Sequence, residues 1–558
     1  MTQEATPDTV RGAFDGRVMR YWGVDIRPVR EGDHFYIEYL DADGKLSRKL
    51  KVERTVGSHR YQQYLTQDPA AGPGNYWRLP ILWHIYAGRW VHLNGVFLGS
   101  DDMPFDAHLT LWNQNCIFCH NTGPEPGITN LNELLDRGRQ GQPFDFRYDA
   151  RYESEVAELG ISCEACHSPG ADHAQRNQNP LRRYTLALGD LDDPTIVNPG
   201  KLDHERSTQI CGQCHGQRLP INDRLIMQWL DDGPTFRAGL DLHDHVRPIE
   251  KDTLPPQSHN QDIFRLRFWP DGTPRLTAYE YQGLTSSACF EDGDISCISC
   301  HSMHDGDPAG QITDRNRGNA PCLDCHTGIA EDVTGHTFHD AESAGSECRS
   351  CHMPNMVYGV MGIHQSHRIE VPEPAQNLLD QRPDACTNCH VEQTVAWAQS
   401  VLDGESPTDT GALPRLVVDM LSGDPVQRAV ATTQFGLFGN GNRAEQRMWA
   451  VPYLLVTLED RYPIMRWFAR DSLLAIERRW TAQGETRFAQ VLDDFDFIGD
   501  VTERKNRVEA LLQSFAALDK SSWPRPANVG LDEQWRPDLA QLHQLLTMQT
   551  GKDINIGE

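Results

Sequence analysis

Fourteen of the fifteen cysteines in this 558-residue chain fall into seven Cys-x-x-Cys-His pentapeptides. In order they are Cys116, Cys119 and His120; Cys163, Cys166 and His167; Cys211, Cys214 and His215; Cys297, Cys300 and His301; Cys322, Cys325 and His326; Cys348, Cys351 and His352; and Cys386, Cys389 and His390. Two thiols at this spacing can add across the two vinyl groups of one porphyrin, and the histidine that follows can then bind the iron from one face. Each pentapeptide is an attachment signature for haem c. The chain is expected to carry seven covalent haems, with His120, His167, His215, His301, His326, His352 and His390 as proximal iron ligands.

Cys-x-x-Cys is also half of a tetrahedral zinc site, but zinc does not require histidine directly after the second cysteine. Histidine makes up only 23 of the 558 residues, and its presence after all seven pairs is no accident of composition. A redox-active dithiol on a βαβ unit would need one such pair, not seven. Disulfide bonding would leave the histidines unexplained.

Each haem iron has a second axial position, and what fills it decides between electron transfer and substrate binding. Sixteen histidines lie outside the motifs, enough for a second imidazole on every iron. His173 closes CHSPGADH, His304 closes CHSMH, His336 and His339 form HTFH, and His364 and His367 bracket IHQSH. A histidine three to six residues from a proximal one cannot easily wrap to the far face of the same ring. It is expected to reach a neighbouring haem and so fix haem–haem packing. His92, His108, His245 and His259 complete the main candidates, with His204 and His243 behind them. His34, His59 and His543 have no link to a motif and read as ordinary side chains. The remaining cysteine, Cys289, stands eight residues before Cys297 and reads as a buried spectator, with a free thiol near a haem edge or a sulfur ligand as the alternatives.

The motifs span fewer than 280 residues, about forty per haem, too few for each to have a polypeptide core of its own. Haems packed against one another are expected to supply the core, in keeping with a 39% hydrophobic content and abundant Gly and Pro. A net charge of −27 with no basic stripe disfavours nucleic acid and suits docking to a positively charged redox partner. Haem attachment by thioethers takes place outside the cytoplasm, so the expected location is periplasmic or extracellular. The opening MTQEATPDTVRGAFDGR has no charged-then-apolar run, and the export signal is expected to lie upstream of it. No transmembrane span is expected: the apolar stretch from Leu79 to Phe97 is interrupted by His84, Arg89 and His92.

Three segments must position these groups. Residues 1–104 lack cysteine, and HFYIEYL, DADGK and KLSRKLKVERTV predict a β-hairpin over 34–56. Residues 105–395 form the haem domain, mostly irregular and α-helical. An insertion between the third and fourth motifs holds a second predicted hairpin around DIFRLRFW and its DGTP turn. In residues 396–558 cysteine disappears and helical periodicity takes over. The segments 413–439 and 451–480 each read as an apolar helix, an Asp, a Pro, an Arg and a second apolar helix, the pattern of HEAT-like repeats, with a third pair expected in 484–518. Stacked pairs of this kind make docking surfaces; a plain helical cap over the haems is the alternative.

In context, NQNCIFCHNT, ISCEACHSPGADH and ICGQCHGQR resemble the multihaem cytochromes with a cytochrome c-552/554-like domain, which are related to octahaem cytochromes. ISCISCHSMH, PCLDCHTG, HTFH, ECRSCHMPNMVYG, SHRIEVPEP and DACTNCHVEQTVAWA resemble the second half of multihaem proteins that end in helical repeats. The resemblance implies an eighth Cys-x-x-Cys-His and an export signal upstream of the present start. Relatives often carry Arg-x-Asp-His where this chain has IHQSH, which favours His367 over His364 as an iron ligand. The expected function is electron transfer along a closely packed haem chain. The alternative is a reductase or oxidase of small nitrogen or sulfur species with one haem open on its far side. No motif ends in Lys, the variant that marks the active haem in one nitrite reductase family.

Overall fold

The computed structural model describes residues 1–67, 74–189, 191–255, 261–357, 359–406, 411–437, 444–481 and 489–554. Its N-terminal part is two antiparallel sheets. Strands Met19–Tyr21, Val24–Glu31, His34–Leu40 and Leu46–Lys51 pair in sequence order. The hairpin over 34–51 turns at Asp41, whose side chain accepts from the N–H groups of Asp43 and Lys45, while Gly44 takes a left-handed φ of 75°. The second sheet runs Thr2–Glu4, Arg54–Val56, Tyr61–Gln67, Tyr76–His84 and Arg89–His92. Phe14, Ile26, Phe35, Ile37, Tyr64, Leu79 and Ile81 fill the space between the sheets.

The β-structure is larger than the small hairpin addition expected. Strands 61–67 and 76–84 escape a simple alternation test because they bury polar side chains. Gln62, Gln63, Thr66 and Arg78 are all buried. Gln62 donates to the carbonyls of Thr9 and Gly57, and Arg78 to that of His108 at 2.7 Å. Satisfied in this way, they occupy core positions that the sequence marks as polar.

Between the sheets and the C-terminal helices the elements become short. The motifs ride on single helical turns such as Ile117–His120, Glu164–His167, Cys348–His352 and Ala385–Cys389, or end a longer helix, His204–His215. The expected hairpin at DIFRLRFW does not form. Arg265–Arg267 is a 3-10 turn, and one bridge, Phe268 to Pro274, crosses the DGTP turn. Phe264, Phe268 and Trp269 are all buried, so the apolar run packs inward rather than alternating between two faces. Pro270 and Pro274, without N–H groups, cannot extend a ladder. A two-stranded pairing of Arg218–Pro220 with Val246–Pro248 forms in the insertion instead.

The C-terminal helices follow the Asp, Pro, Arg pattern. Asp424 caps Pro425–Gln434, accepting from the N–H groups of Val426 and Gln427, and Pro425 stands where no N–H is needed. Asp460 accepts from Tyr462 N–H just before Pro463–Thr481. Arg428 of the first pair reaches Asp460 of the second at 3.4 Å, and Arg466 of the second reaches Asp101 near the end of the N-terminal segment. One hydrophobic core accordingly crosses the boundaries expected at 104/105 and 395/396. It takes in Leu82 and Val91 of the second sheet, Val357 and Val391 of the motif region, and Leu416, Val430, Trp449, Leu454 and Phe468 of the helices. Among the described residues, no helix is long and apolar enough to cross a membrane.

Candidate functional site

Thirteen of the fourteen motif cysteines line one elongated cavity of about 2430 Å³. That is more than twice the upper range of roughly 1,000 Å³ for an ordinary small-molecule pocket. His120, His215, His301, His326, His352 and His390 line it as well. The motifs meet end to end inside it. The Cys119 thiol lies beside that of Cys214, Cys211 beside Cys297, and Cys322 beside Cys348. Cys300 lies within electrostatic reach of Cys322, Cys351 of Cys389, and Cys166 of Cys211. These contacts run first motif to third, third to fourth, and on to the seventh, with the second beside the third. Among the described residues no three His, Cys, Asp or Glu side chains converge as a metal site.

The histidines are arranged in facing pairs. The ring centres of His167 and His304 are 6.0 Å apart and 11° from parallel. His301 faces His367 at 6.2 Å and 19°, His352 faces His336 at 6.0 Å and 8°, and His390 faces His339 at 6.0 Å and 31°. Aromatic rings in direct contact would be closer. An iron bonded to two imidazoles at about 2 Å each holds their centres roughly 6 Å apart. The donor set and spacing therefore fit a haem between each pair.

Hydrogen bonds orient these rings. His167 Nδ1 lies 2.7 Å from the carbonyl of Val197, His301 Nδ1 2.8 Å from that of Gly310, and His352 Nδ1 2.7 Å from that of Glu370. On the opposing side His339 Nδ1 lies 2.6 Å from the carbonyl of Thr337. An N–H committed to a carbonyl fixes the tautomer and turns the other nitrogen to the metal. Burial pushes His120 down to about 3 and also lowers His301, His367 and His390, favouring the neutral imidazole that ligation requires.

His304, His336, His339 and His367 each stand opposite a motif histidine. The other candidates are placed differently. His92 is fully buried, stacked on Tyr21 at 4.0 Å and flanked by Phe105 at 4.6 Å. His108 packs on Phe97 at 4.3 Å. Both rings lie among aromatic neighbours with Nε2 buried and without a hydrogen-bond partner, and neither lines the cavity. His173 is held by Asp193 at 3.3 Å and Asn177 at 3.2 Å, and His245 by the Thr235 hydroxyl at 2.7 Å. His204 neighbours Phe290 and Asp294, and His243 accepts or donates at the Tyr281 hydroxyl, 3.0 Å away. His259 lies outside the described residues. Cys289 lines the cavity with the motif cysteines.

His215 has a neighbour that motif spacing could not reveal. Its Nδ1 lies 3.6 Å from Glu280 Oε2. The chain surrounds this site, yet 69% of the His215 side chain faces the open cavity. The carboxylate beside it raises His215 to about 9. Burial opposes charge on Glu280, but His215 holds its carboxyl below the usual range.

A family model described as the doubled CXXCH motif matches residues 288–331, which contain the fourth and fifth motifs. No curated protein matches the chain. Among solved structures, the outer cell wall cytochrome OcwA is similar over 77% of this chain and 88% of that chain, with 18% identity and a TM-score of 0.38. The doubled motif and the cysteine- and histidine-lined cavity agree on haem c as the cofactor.

Proposed function

We propose that this protein is an exported c-type cytochrome that passes electrons along a row of seven closely packed haems. The observation that carries the reading is the set of four facing imidazole pairs at 6.0–6.2 Å. Haem c, when bound, supplies an iron that cycles between ferric and ferrous states. At four motifs the pairs His167 with His304, His301 with His367, His352 with His336 and His390 with His339 would hold the iron, and a pair of imidazoles would leave no position for a substrate. Four of the eight rings, His167, His301, His352 and His339, are held by carbonyl acceptors, which limits what must rearrange when an electron arrives or leaves. The pairs also cross between motifs: His304, beside the fourth motif, faces His167 of the second, and His367 faces His301 of the fourth. Each crossing ties one attachment site to the next and holds the haems close together.

The contacts between cysteines of successive motifs support the order first, third, fourth, fifth, sixth, seventh, with the second beside the third. Attachment chemistry places the protein in the periplasm or beyond. The C-terminal helix pairs, HEAT-like in sequence, are the proposed docking site of a redox partner, and the net charge of −27 favours a cationic one. The chain joins an N-terminal β-containing segment, an irregular and α-helical haem region and an all-α repeat region.

A pyridine haemochrome assay on protein matured with the haem-attachment machinery should return about seven haems per chain. Replacing both cysteines of any one motif by alanine should remove one of them. A count near zero, with bound zinc, would overturn the reading.

A second reading, an oxidoreductase for small nitrogen or sulfur species, is favoured by one observation. Among the described residues no imidazole faces His120, His215 or His326 at the pairing distance. If one of these irons takes substrate, the reduced protein should bind carbon monoxide and the oxidised protein should show a high-spin ferric signal. A wholly low-spin protein indifferent to carbon monoxide would leave electron transfer alone.

A further inference from the structure

The third motif differs from those whose acceptors are visible. His167, His301 and His352 each direct Nδ1 to a backbone carbonyl. His215 directs Nδ1 to a carboxylate, Glu280 Oε2, at 3.6 Å. That oxygen is buried and has no hydrogen-bond partner. The other oxygen, Oε1, is anchored by the Thr277 hydroxyl at 3.2 Å and the Ala278 N–H at 3.3 Å. A buried carboxylate oxygen left without a donor is costly, and the Nδ1–H of His215 is the donor in front of it. Closing the gap to a hydrogen bond takes a ring movement of about half an ångström.

The backbone is arranged to hold Glu280 there. Ala278 adopts a left-handed φ of 62°, a conformation that disfavours any residue with a side chain, and its carbonyl accepts from Gln217 N–H at 2.9 Å. Gln217 follows His215 by two residues, so this bond ties the strained turn to the motif itself. The helix Glu280–Thr285 then starts with the carboxylate over His215. Next to it, Tyr281 packs so tightly on Gly212 that a Cβ there would lie 2.5 Å from the ring. Glu280 is set against the third motif by the turn before it and the packing after it.

We infer that Glu280 is a positioning residue for the haem attached at Cys211 and Cys214, accepting the Nδ1–H of His215 and so favouring the oxidised state of that iron over those of its neighbours. A carboxylate acceptor leaves more electron density on the imidazole than a carbonyl does, and a more electron-rich ligand stabilises the more positive metal. The third motif's cysteines lie beside those of the first, second and fourth. Its haem therefore lies at a branch of the row, where a lower potential makes it the step that sets the direction of electron flow. The inference rests on the proposed row of haems.

The test is spectroelectrochemical titration of the full-length, haem-loaded protein. In the Cys211→Ala/Cys214→Ala variant one haem and one redox component should be lost, which identifies the component belonging to the third motif. In Glu280→Gln the haem count should stay at the parent value. That same component should move to higher potential by at least about tenfold in its equilibrium, or 59 mV for one electron, with a changed electron paramagnetic resonance signal for that haem alone. Glu280→Asp, which keeps the charge but draws it back, should give a smaller shift in the same direction and serves if Glu280→Gln fails to load haem. An unmoved component, or a shift confined to another motif's haem, would overturn the inference. Failure of the double cysteine variant to lose a haem would instead overturn the proposed attachment at this motif.

Discussion

In a His304→Ala variant the haem that loses its far-side ligand should be the one attached at Cys163 and Cys166, not the one attached nearby in sequence at Cys297 and Cys300. His304 follows His301 closely in sequence, but its ring faces His167 at 6.0 Å and 11°. His301 faces His367 instead. Alanine leaves nothing that can bind iron, so one haem should pass from low-spin to high-spin and gain affinity for carbon monoxide. The increment should be roughly one seventh of the total haem above the parent protein. Combining His304→Ala with Cys163→Ala/Cys166→Ala should abolish the increment, whereas combining it with Cys297→Ala/Cys300→Ala should leave it. The opposite dependence would show that the ligand crossing is not as described. Adding imidazole to the single variant should restore a low-spin spectrum, because the cavity left by the side chain has the shape of the missing ring.

Replacing Arg466 by methionine should destabilise the protein by about 3 kcal/mol. Its side chain is fully buried and binds both oxygens of Asp101, at 2.8 and 2.9 Å, and donates to the carbonyl of Phe497 at 2.6 Å. Methionine fills much of the volume but supplies no donor, so Asp101 and two carbonyls, those of Phe497 and Asp460, lose their partner together. The estimate stays at the low end for a broken buried pair because Asp101 is 33% exposed and keeps Arg504 at 3.2 Å. Urea unfolding followed by far-ultraviolet circular dichroism should show the lower midpoint. The double variant Arg466→Met/Asp101→Asn should recover part of the loss, since it removes the charge left unpaired. A midpoint within error of the parent would mean that the helices and the N-terminal segment are held together by their apolar contacts alone.

Much of the architecture was legible because it is local. The hairpin over 34–51 shows alternation and a turn with Asp and Gly at the positions the geometry requires. The breaks between C-terminal helices show as Asp424 with Pro425 and Asp460 with Pro463, since capping needs only a few consecutive residues. The remaining strands of the N-terminal sheets were hidden by Gln62, Gln63, Thr66 and Arg78, which read as surface residues until their distant partners are known. The apolar run DIFRLRFW suggested a strand, but burial on all sides and two prolines turned it into a 3-10 turn. His92 and His108 were attractive as ligands because an isolated histidine in an apolar segment suits both an iron site and an aromatic core. Tyr21, Phe105 and Phe97 pack around them, while their Nε2 atoms stay buried without a hydrogen-bond partner. Glu280 left no signal at all: its neighbour His215 is brought to it by a turn whose conformation no motif encodes.

The sequence by itself determined the cofactor, because attachment of haem c needs only five consecutive residues, and seven contiguous sets carry that chemistry wherever the chain places them. It also narrowed the second ligands to sixteen histidines. Only the tertiary structure decided which of these stands opposite which motif, and that His215 faces a carboxylate where others face carbonyls. Those choices depend on bringing distant segments to within ångströms of one another around a shared cavity. Distances of that kind are set by the packing of the whole molecule, not by spacing along the chain.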